Sequence, residues 1–159
     1  PEYISRKFDT DNIAVNCMKN IIDDIHAPLQ LGESMLTLLV DHGKRMYLLD
    51  LLLPDAKEEI KLGYTKTQLE AVKKSEGFIW NYFNENNLLF EADLLKIRSF
   101  VTDGPSTAEF GWGSPGFISL YTGRQLIRAY MKKHPETSLN ALLALDAIKI
   151  LSGAGYKPR

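Results

Sequence analysis

The chain has 159 residues, of which 45% are hydrophobic and 25% are charged, and its formal net charge is −1. These values are typical of one globular domain and exclude an intrinsically disordered chain. The near-zero net charge argues against a nucleic-acid binder, because such proteins usually carry a strong positive excess. Cys17 is the only cysteine, so the chain cannot form an internal disulfide.

Neither terminus carries a recognisable targeting or membrane signal. No run of about 18 uncharged apolar residues predicts a membrane-spanning helix, and no signal-peptide pattern is present. The chain begins at Pro1 rather than at a methionine. We therefore expect it to be a mature or trimmed form that has lost an upstream segment.

The first predicted helix covers residues 11–25, where apolar side chains recur at helical spacing. Thr10 or Asp11 is expected to cap its start and Pro28 to end it. The face that we expect to pack inward holds Ile13, Ala14, Cys17, Met18, Ile21, Ile22 and Ile25. The opposite, solvent-facing side is expected to hold Asn12, Asn16, Lys19, Asn20 and Asp23.

The second predicted helix, over residues 33–53, is apolar on most sides and therefore central. A polar insert from Asp41 to Arg45 interrupts it. One interpretation is that the insert lines a cleft, because burying charge is costly unless it is paired. In the other, Asp41 pairs with Lys44 or Arg45 one turn on, and Gly43 permits a close helix crossing. If the insert lines a cleft, the candidate residues on that face are His42, Lys44, Tyr47 and Asp50.

A capping box, Thr65-x-x-Gln68, predicts a helix that continues to about Asn84, with a kink or a split at Gly77. A short helix over 94–101 follows, capped by Asp93. Residues 102–115 form the one long predicted loop, which in proteins is often functional or mobile.

The remaining helices follow the long loop. Ser114 and Pro115 are expected to start a helix that ends near Lys133. Two short helices with caps near Ser138 and Asp146 follow, and Gly153 is expected to end the last one. No segment alternates like a strand. The predicted fold is therefore all-α, a compact multi-helix single domain over residues 1–159.

No complete catalytic or metal-binding constellation is apparent in the sequence. The three histidines, His26, His42 and His134, are more than four residues apart, so the helical zinc motif is absent. Cys17 lies on the apolar stripe, where a lone cysteine is usually a small core residue rather than a nucleophile. A serine-hydrolase elbow and a glycine-rich phosphate loop are also missing. We therefore predict no catalytic residue, no metal ligand and no cofactor.

Two further features have both a functional and a structural interpretation. Arg124 and Arg128 are one helical turn apart and either hold an anion or carboxylate or form a solvated face. Trp112 either contacts a partner from the long loop or covers the core. Together with Asn16 and Asn20, Arg124 completes the set of candidate cleft residues, and Trp112 is the candidate loop contact.

An ordered series of short strings runs along nearly the whole chain. The strings are DHGKRMYLLD at 41–50, LPD at 53–55, GYTKTQL at 63–69, IWNYF at 79–83, GPST at 104–107, SPG at 114–116, GRQ at 123–125 and YKP at 156–158. Together they resemble the C-terminal part of the GldB family of gliding-motility-associated lipoproteins of Bacteroidetes. The resemblance implies a protein of the periplasm or cell envelope, anchored to the membrane only through an N-terminal lipidated segment that this chain lacks.

The same family is distantly similar to zinc peptidase-like proteins that carry H-E-x-x-H. That similarity implies a zincin-like helical scaffold in which Asn16 and Asn20 stand at the two histidine positions and Cys17 at the glutamate. His42 would stand near the third ligand. Neutral amides are poor zinc ligands, so the resemblance implies a degenerate site.

The preferred hypothesis is a non-catalytic envelope domain that binds a protein partner, without nucleic acid, on a degenerate peptidase-like scaffold. Its expected binding site is the cleft between the first helix, the polar insert and the Arg124 helix. One alternative is a divergent zinc-dependent peptidase whose site is completed by residues outside this chain. Another is a helical adaptor of unrelated function.

Overall fold

The computed structural model describes residues 1–158, which contain ten α-helices and no strand, in agreement with the predicted all-α fold. The helices are α1 Glu2–Ser5, α2 Ile13–Ile25, α3 Met35–Leu52, α4 Glu58–Leu62, α5 Lys66–Lys74, α6 Glu76–Glu85, α7 Leu94–Val101, α8 Ser119–Lys133, α9 Leu139–Ala144 and α10 Ala147–Ala154. In the part of the chain described, no helix is long and apolar enough to cross a bilayer.

Helix α3 lies at the centre of the molecule, as its apolar composition predicts. The Ser34 hydroxyl caps its start by accepting a hydrogen bond from the Thr37 amide. Eleven of its residues are buried, and it packs most extensively against α8. The two helices meet at Gly43 and Gly123, where a Cβ atom on either glycine would overlap the backbone of the other helix. The close helix crossing proposed for Gly43 is therefore confirmed.

Helix α2 is rotated relative to the prediction. Only Val15 and Ile22 of this helix are buried. Both lie to one side of its most apolar face, rather than at the centre of that face. That face points outward: Ile13, Ile21 and Ile25 are 59%, 48% and 57% exposed. Its Cys17 is exposed as well, so the expected core position for this cysteine is wrong. Polar contacts at the end of α2, described below, hold the less apolar face against α3.

Several predicted helix boundaries also differ from the structure. The turn Thr10–Asn12 is 3₁₀-helical and offers α2 no side-chain cap. The split between α5 and α6 falls at Ser75, and Gly77 lies inside α6. Gly155, in the left-handed conformation, ends α10 in place of Gly153.

The predicted start of α8, with Ser114 as the cap and Pro115 as the first helical residue, is wrong by four residues. The helix begins at Ser119. The Ser114 hydroxyl instead donates to the Thr107 carbonyl at 2.9 Å and accepts from the Thr107 amide at 3.0 Å. It is therefore used to close the preceding loop, which contains a short 3₁₀ turn over Ala108–Phe110.

Most local capping signals are confirmed. Thr65 and Gln68 form the reciprocal capping box at the start of α5. Asp93, Ser138 and Asp146 each accept a backbone amide at the start of α7, α9 and α10. These signals are reliable because donor and acceptor are within three residues of each other.

Candidate functional site

A cavity of about 220 Å³ lies between α2, α3 and the start of α8. This is the place where the sequence predicted a cleft. Its apolar lining comes from Ile22, Pro28, Met46, Leu49, Phe117 and Leu120, and its polar lining from Lys19, His42 and Arg45. Because these side chains come from three helices and two connecting segments, the cavity depends on how the helices pack.

His42 is held in one orientation inside the cavity wall. Its Nδ1 atom is 2.8 Å from the Ser119 hydroxyl oxygen, and its ring stands edge-on to Phe117 at 4.9 Å between centroids. Ser119 is fully buried and its hydroxyl has no other partner within residues 1–158. Since a buried O–H needs an acceptor, Ser119 donates to Nδ1, which places the imidazole proton on Nε2.

The imidazole of His42 is neutral at physiological pH. Burial in the wall of the cavity lowers its pKa to about 4, and the nearby Arg45 charge acts in the same direction. The Ser119–His42 pair resembles a nucleophile beside a base. However, the Ser119 hydroxyl is buried, so a substrate cannot reach it, and His42 instead presents a neutral N–H donor.

Phe117 has a strained backbone where it lines the cavity. Its φ of 56° lies in the left-handed region that non-glycine residues rarely adopt. The Tyr64 hydroxyl donates to the Phe117 carbonyl at 3.1 Å. The preceding Gly116 packs directly on the Gly104 backbone, which leaves no room for a Cβ atom. These contacts fix the loop so that the Phe117 ring reaches His42.

Polar contacts fasten the end of α2 to α3. Arg45 pairs with Asp23 and donates to the His26 carbonyl at 3.1 Å. The His26 ring is 2.9 Å from the buried carboxylate of Asp41. The polar insert therefore pairs with residues of α2, and the predicted pairing of Asp41 with Lys44 or Arg45 within α3 is wrong. These contacts explain the rotation of α2, because they require its polar side to face inward.

Lys19 lines the cavity and is half-buried. Among the residues described, it is the one polar residue of the cavity lining whose side chain forms no ion pair or hydrogen bond. Burial lowers the pKa of its ammonium group to about 8, with a further lowering from Lys7 and Arg45. The carboxylates of Asp103 and Asp23 act in the opposite direction. A cation near an apolar cavity without a counter-ion is a position where an anion would be favoured.

Arg124 and Asp50 lie away from this cavity in an ion cluster. Arg124 is 2% exposed and binds Asp50 through two nitrogen atoms, at 2.7 and 2.9 Å. It also pairs with Glu58, while Lys61 and Arg128 pair with Asp50. Arg124 therefore holds carboxylates, but those of its own chain, and it joins α8 to α3 and α4.

Burial alone would raise the pKa of Asp50, but its hydrogen bonds and charge interaction with Arg124 outweigh burial and hold it below its usual range. Burial likewise opposes the lowering of the Glu58 pKa, which hydrogen bonds from Lys73 and Arg124 produce. Both carboxylates are therefore ionised at neutral pH. The cluster is a structural network between helices, because the Arg124 guanidinium is already paired with these two carboxylates.

Lys44 is also removed from the cavity. Its ammonium group donates to the carbonyls of Leu143 and Leu145, at 2.9 and 2.6 Å, at the end of α9. A cation is favoured there, since the last carbonyls of a helix have no internal partner. Tyr47 is half-buried and packs against the core. The predicted set of Lys44, Tyr47 and Asp50 does not converge on one site.

The residues that the zinc-peptidase similarity singles out are placed as follows. Asn16 donates to the Lys7 carbonyl at 2.8 Å, Asn20 is exposed, and His42 lines the cavity. Within the described part of the chain, no group of three or more His, Cys, Asp or Glu side chains could hold a metal ion.

In the long loop, Phe110 covers the core and Trp112 does not. The Phe110 ring lies 5.2 to 6.2 Å from the rings of Phe78, Tyr82, Phe83 and Phe100. Trp112, by contrast, is 92% exposed. It is therefore available for contact with another molecule.

Sequence reasoning missed three residues of the site: Lys19, Phe117 and Ser119. The sequence predicts Lys19 on the solvent face. This prediction misses the rotation of α2, because the rotation depends on contacts of Asp23 and His26 with α3. Ser119 carries no local signal, since its partner His42 is 77 positions away. Phe117 itself has no sequence signal for its left-handed backbone. The adjacent Gly116 is a weak indication of a tight turn at this point.

Comparison with known families gives one match. The family model described as Gliding motility protein GldB matches residues 1–158, nearly the whole chain. No curated protein and no solved structure matches the chain. The family match supports a gliding-motility-related lipoprotein of the cell envelope. The similarity to zinc peptidases finds no counterpart in these comparisons.

Proposed function

Because the chain belongs to the family of the gliding motility protein GldB, we propose that it is a non-catalytic binding domain. It recognises a protein partner in the cell envelope and is held at the membrane by a lipid anchor. The partner contacts the outer face of α2 and the mouth of the adjacent cavity. The observation that carries this proposal is the apolar row of α2, which faces outward beside the cavity.

The row consists of side chains spaced by one helical turn, at positions 13, 17, 21 and 25. Its three isoleucines are each about half exposed. Single exposed apolar residues are ordinary, whereas a contiguous row next to a concave site is typical of an interaction surface. Ile22 and Lys19 of the same helix line the cavity, so one partner can contact the row and the cavity together.

The surrounding contacts support a binding role. The Arg45–Asp23 and His26–Asp41 pairs keep α2 in place with its apolar row outward. A helix free to rotate would bury that row, since burial of apolar area is favourable by roughly 25 cal/mol per Å². The fold therefore maintains an exposed apolar surface at a cost in stability, which is expected where the surface is used for binding.

The proposal is tested by the double substitution Ile21→Asp and Ile25→Asp in the native organism. We expect the protein to fold and to be made at normal levels, because both positions are exposed, yet to reproduce the phenotype of the deletion. The matched control is Leu95→Asp on α7, a position that is 91% exposed and outside the cavity. A normal phenotype of the folded double variant would contradict the proposed surface.

A further inference from the structure

Among the residues described, the charges that act on the cavity leave the Lys19 ammonium group without a partner. This group interacts with the charges of two other cations, Lys7 and Arg45, and of two anions, Asp103 and Asp23. Lys7 pairs with Asp103 and Arg45 pairs with Asp23. The charges of these two pairs cancel, so among the five groups the Lys19 ammonium carries the net positive charge. An external anion would complete the charge pairing.

The rest of the cavity is apolar and limited in size. Six of its nine lining residues are apolar. Its volume of about 220 Å³ is below the ~300 Å³ at which typical small-molecule sites begin. It exceeds the ~150 Å³ of an engineered apolar cavity that binds benzene. The space therefore accommodates a single large apolar side chain, and the neutral His42 adds an N–H donor at its wall.

We propose that this cavity binds the C-terminal residue of a partner protein, with an apolar side chain inside the cavity and the terminal carboxylate on Lys19. The His42 Nε2–H is a second donor for that carboxylate. The inference rests on the proposed protein-binding function and specifies which part of the partner is recognised.

The surface at the cavity mouth favours the C-terminus of a protein over a small carboxylic acid as the ligand. Ile22 lines the cavity, and Ile25, one turn further along α2, is 57% exposed. Together with Ile21 of the outward row, Ile25 offers apolar contact for the residues that precede a C-terminus. A free small acid would leave this surface uncovered and would gain nothing from it.

The test compares two peptides, acetyl-Gly-Leu-Gly-Phe with a free carboxylate and the same peptide with a C-terminal amide. Binding to the full chain is followed at pH 7 by NMR shifts of residues around the cavity. We expect the carboxylate peptide to bind with a Kd on the order of 1 mM or tighter and the amide about tenfold more weakly. In the Lys19→Met variant we expect this difference to shrink to about twofold, because only the neutral His42 donor is left for the carboxylate. The control Lys74→Met, at an exposed position on α5, should keep the difference.

Equal binding of the two peptides to the unaltered chain, or no saturable binding of either, would overturn the inference. 3-Phenylpropionate is the third probe, and binding as tight as that of the peptide would identify a free acid as the occupant and also overturn it. A negative result of the peptide experiment can be distinguished from a negative result for the proposed protein-binding function. If the peptides do not bind while the Ile21→Asp, Ile25→Asp variant loses function, the binding surface stands and only its ligand is wrong.

Discussion

Gly43 and Gly123 face each other across the crossing of α3 and α8, with no space for a Cβ atom on either. This contact sets the distance between the two helices that carry the cavity wall. His42 precedes Gly43 in the chain, and Ser119 lies one turn before Gly123, so the His42–Ser119 hydrogen bond depends on the same crossing.

The first prediction concerns this crossing. Gly43→Ala places a methyl group against the Gly123 backbone and the Ile127 side chain. We expect the free energy of unfolding to fall by about 1–3 kcal/mol, despite the better helix propensity of alanine. The comparison is Gly113→Ala, where no atom lies within 4 Å of the added Cβ. Urea denaturation measures both, and equal stability of the two variants would contradict the close contact.

The second prediction concerns the ion cluster. Arg124→Met removes the buried partner of Asp50 and Glu58, and we expect a loss of roughly 3 kcal/mol in the free energy of unfolding. Arg128 also pairs with Asp50, but its side chain is 45% exposed. Arg128→Met should therefore cost less than about 1 kcal/mol. Urea denaturation of both variants provides the measurement, and comparable losses would argue against a special role for Arg124.

A third prediction follows for the acid range. The pKa values of Asp50 and Glu58 lie below their ordinary values in the folded protein. The unfolded chain therefore takes up protons first as the pH falls. The two carboxylates contribute fully to the free energy of unfolding at any pH above their pKa values in the unfolded chain. This contribution is lost as the pH falls through their pKa values in the folded protein. Below about pH 5 the free energy of unfolding should decline, less steeply in Arg124→Met. An unchanged slope in that variant would contradict the pairing.

The fourth prediction concerns His42. Its pKa of about 4 follows from burial and from the Arg45 charge. Because this pKa is below the ordinary value, the unfolded chain binds the proton first, and the protein loses stability between about pH 7 and pH 4. An NMR titration of the imidazole resonance should give a midpoint near 4. A midpoint near the ordinary 6.5 would show that the ring is solvated and that the cavity wall is open.

Local sequence signals predicted the existence and type of most helices. The caps at Thr65, Asp93, Ser138 and Asp146 are confirmed because each bond spans two or three residues. The start of α8 was missed because the Ser114 hydroxyl bonds to Thr107 seven positions earlier. Such a contact competes with helix capping and has no local signature.

A cavity lies between α2, the polar insert and the start of α8, where the sequence predicts a cleft. Of the seven candidate cleft residues, His42 is the one in its lining. The sequence predicts that Arg124 could hold an anion or a carboxylate. It does not identify the carboxylate, because Asp50 is 74 positions away in the sequence. The orientation of α2 was missed because the most apolar face of a helix normally packs inward. Here Arg45 binds Asp23 near the end of α2, and Asp41 binds His26 just after it.

The central claim is that a protein partner contacts the outward row of α2 beside the cavity. The most direct measurement is photo-crosslinking in living cells of the native organism, with a benzophenone amino acid at position 21 and, for comparison, at position 95. Both positions carry exposed apolar side chains, Ile21 and Leu95. The account predicts one discrete protein adduct from position 21 that position 95 does not give. The same adducts from both positions, or none from either, would contradict it.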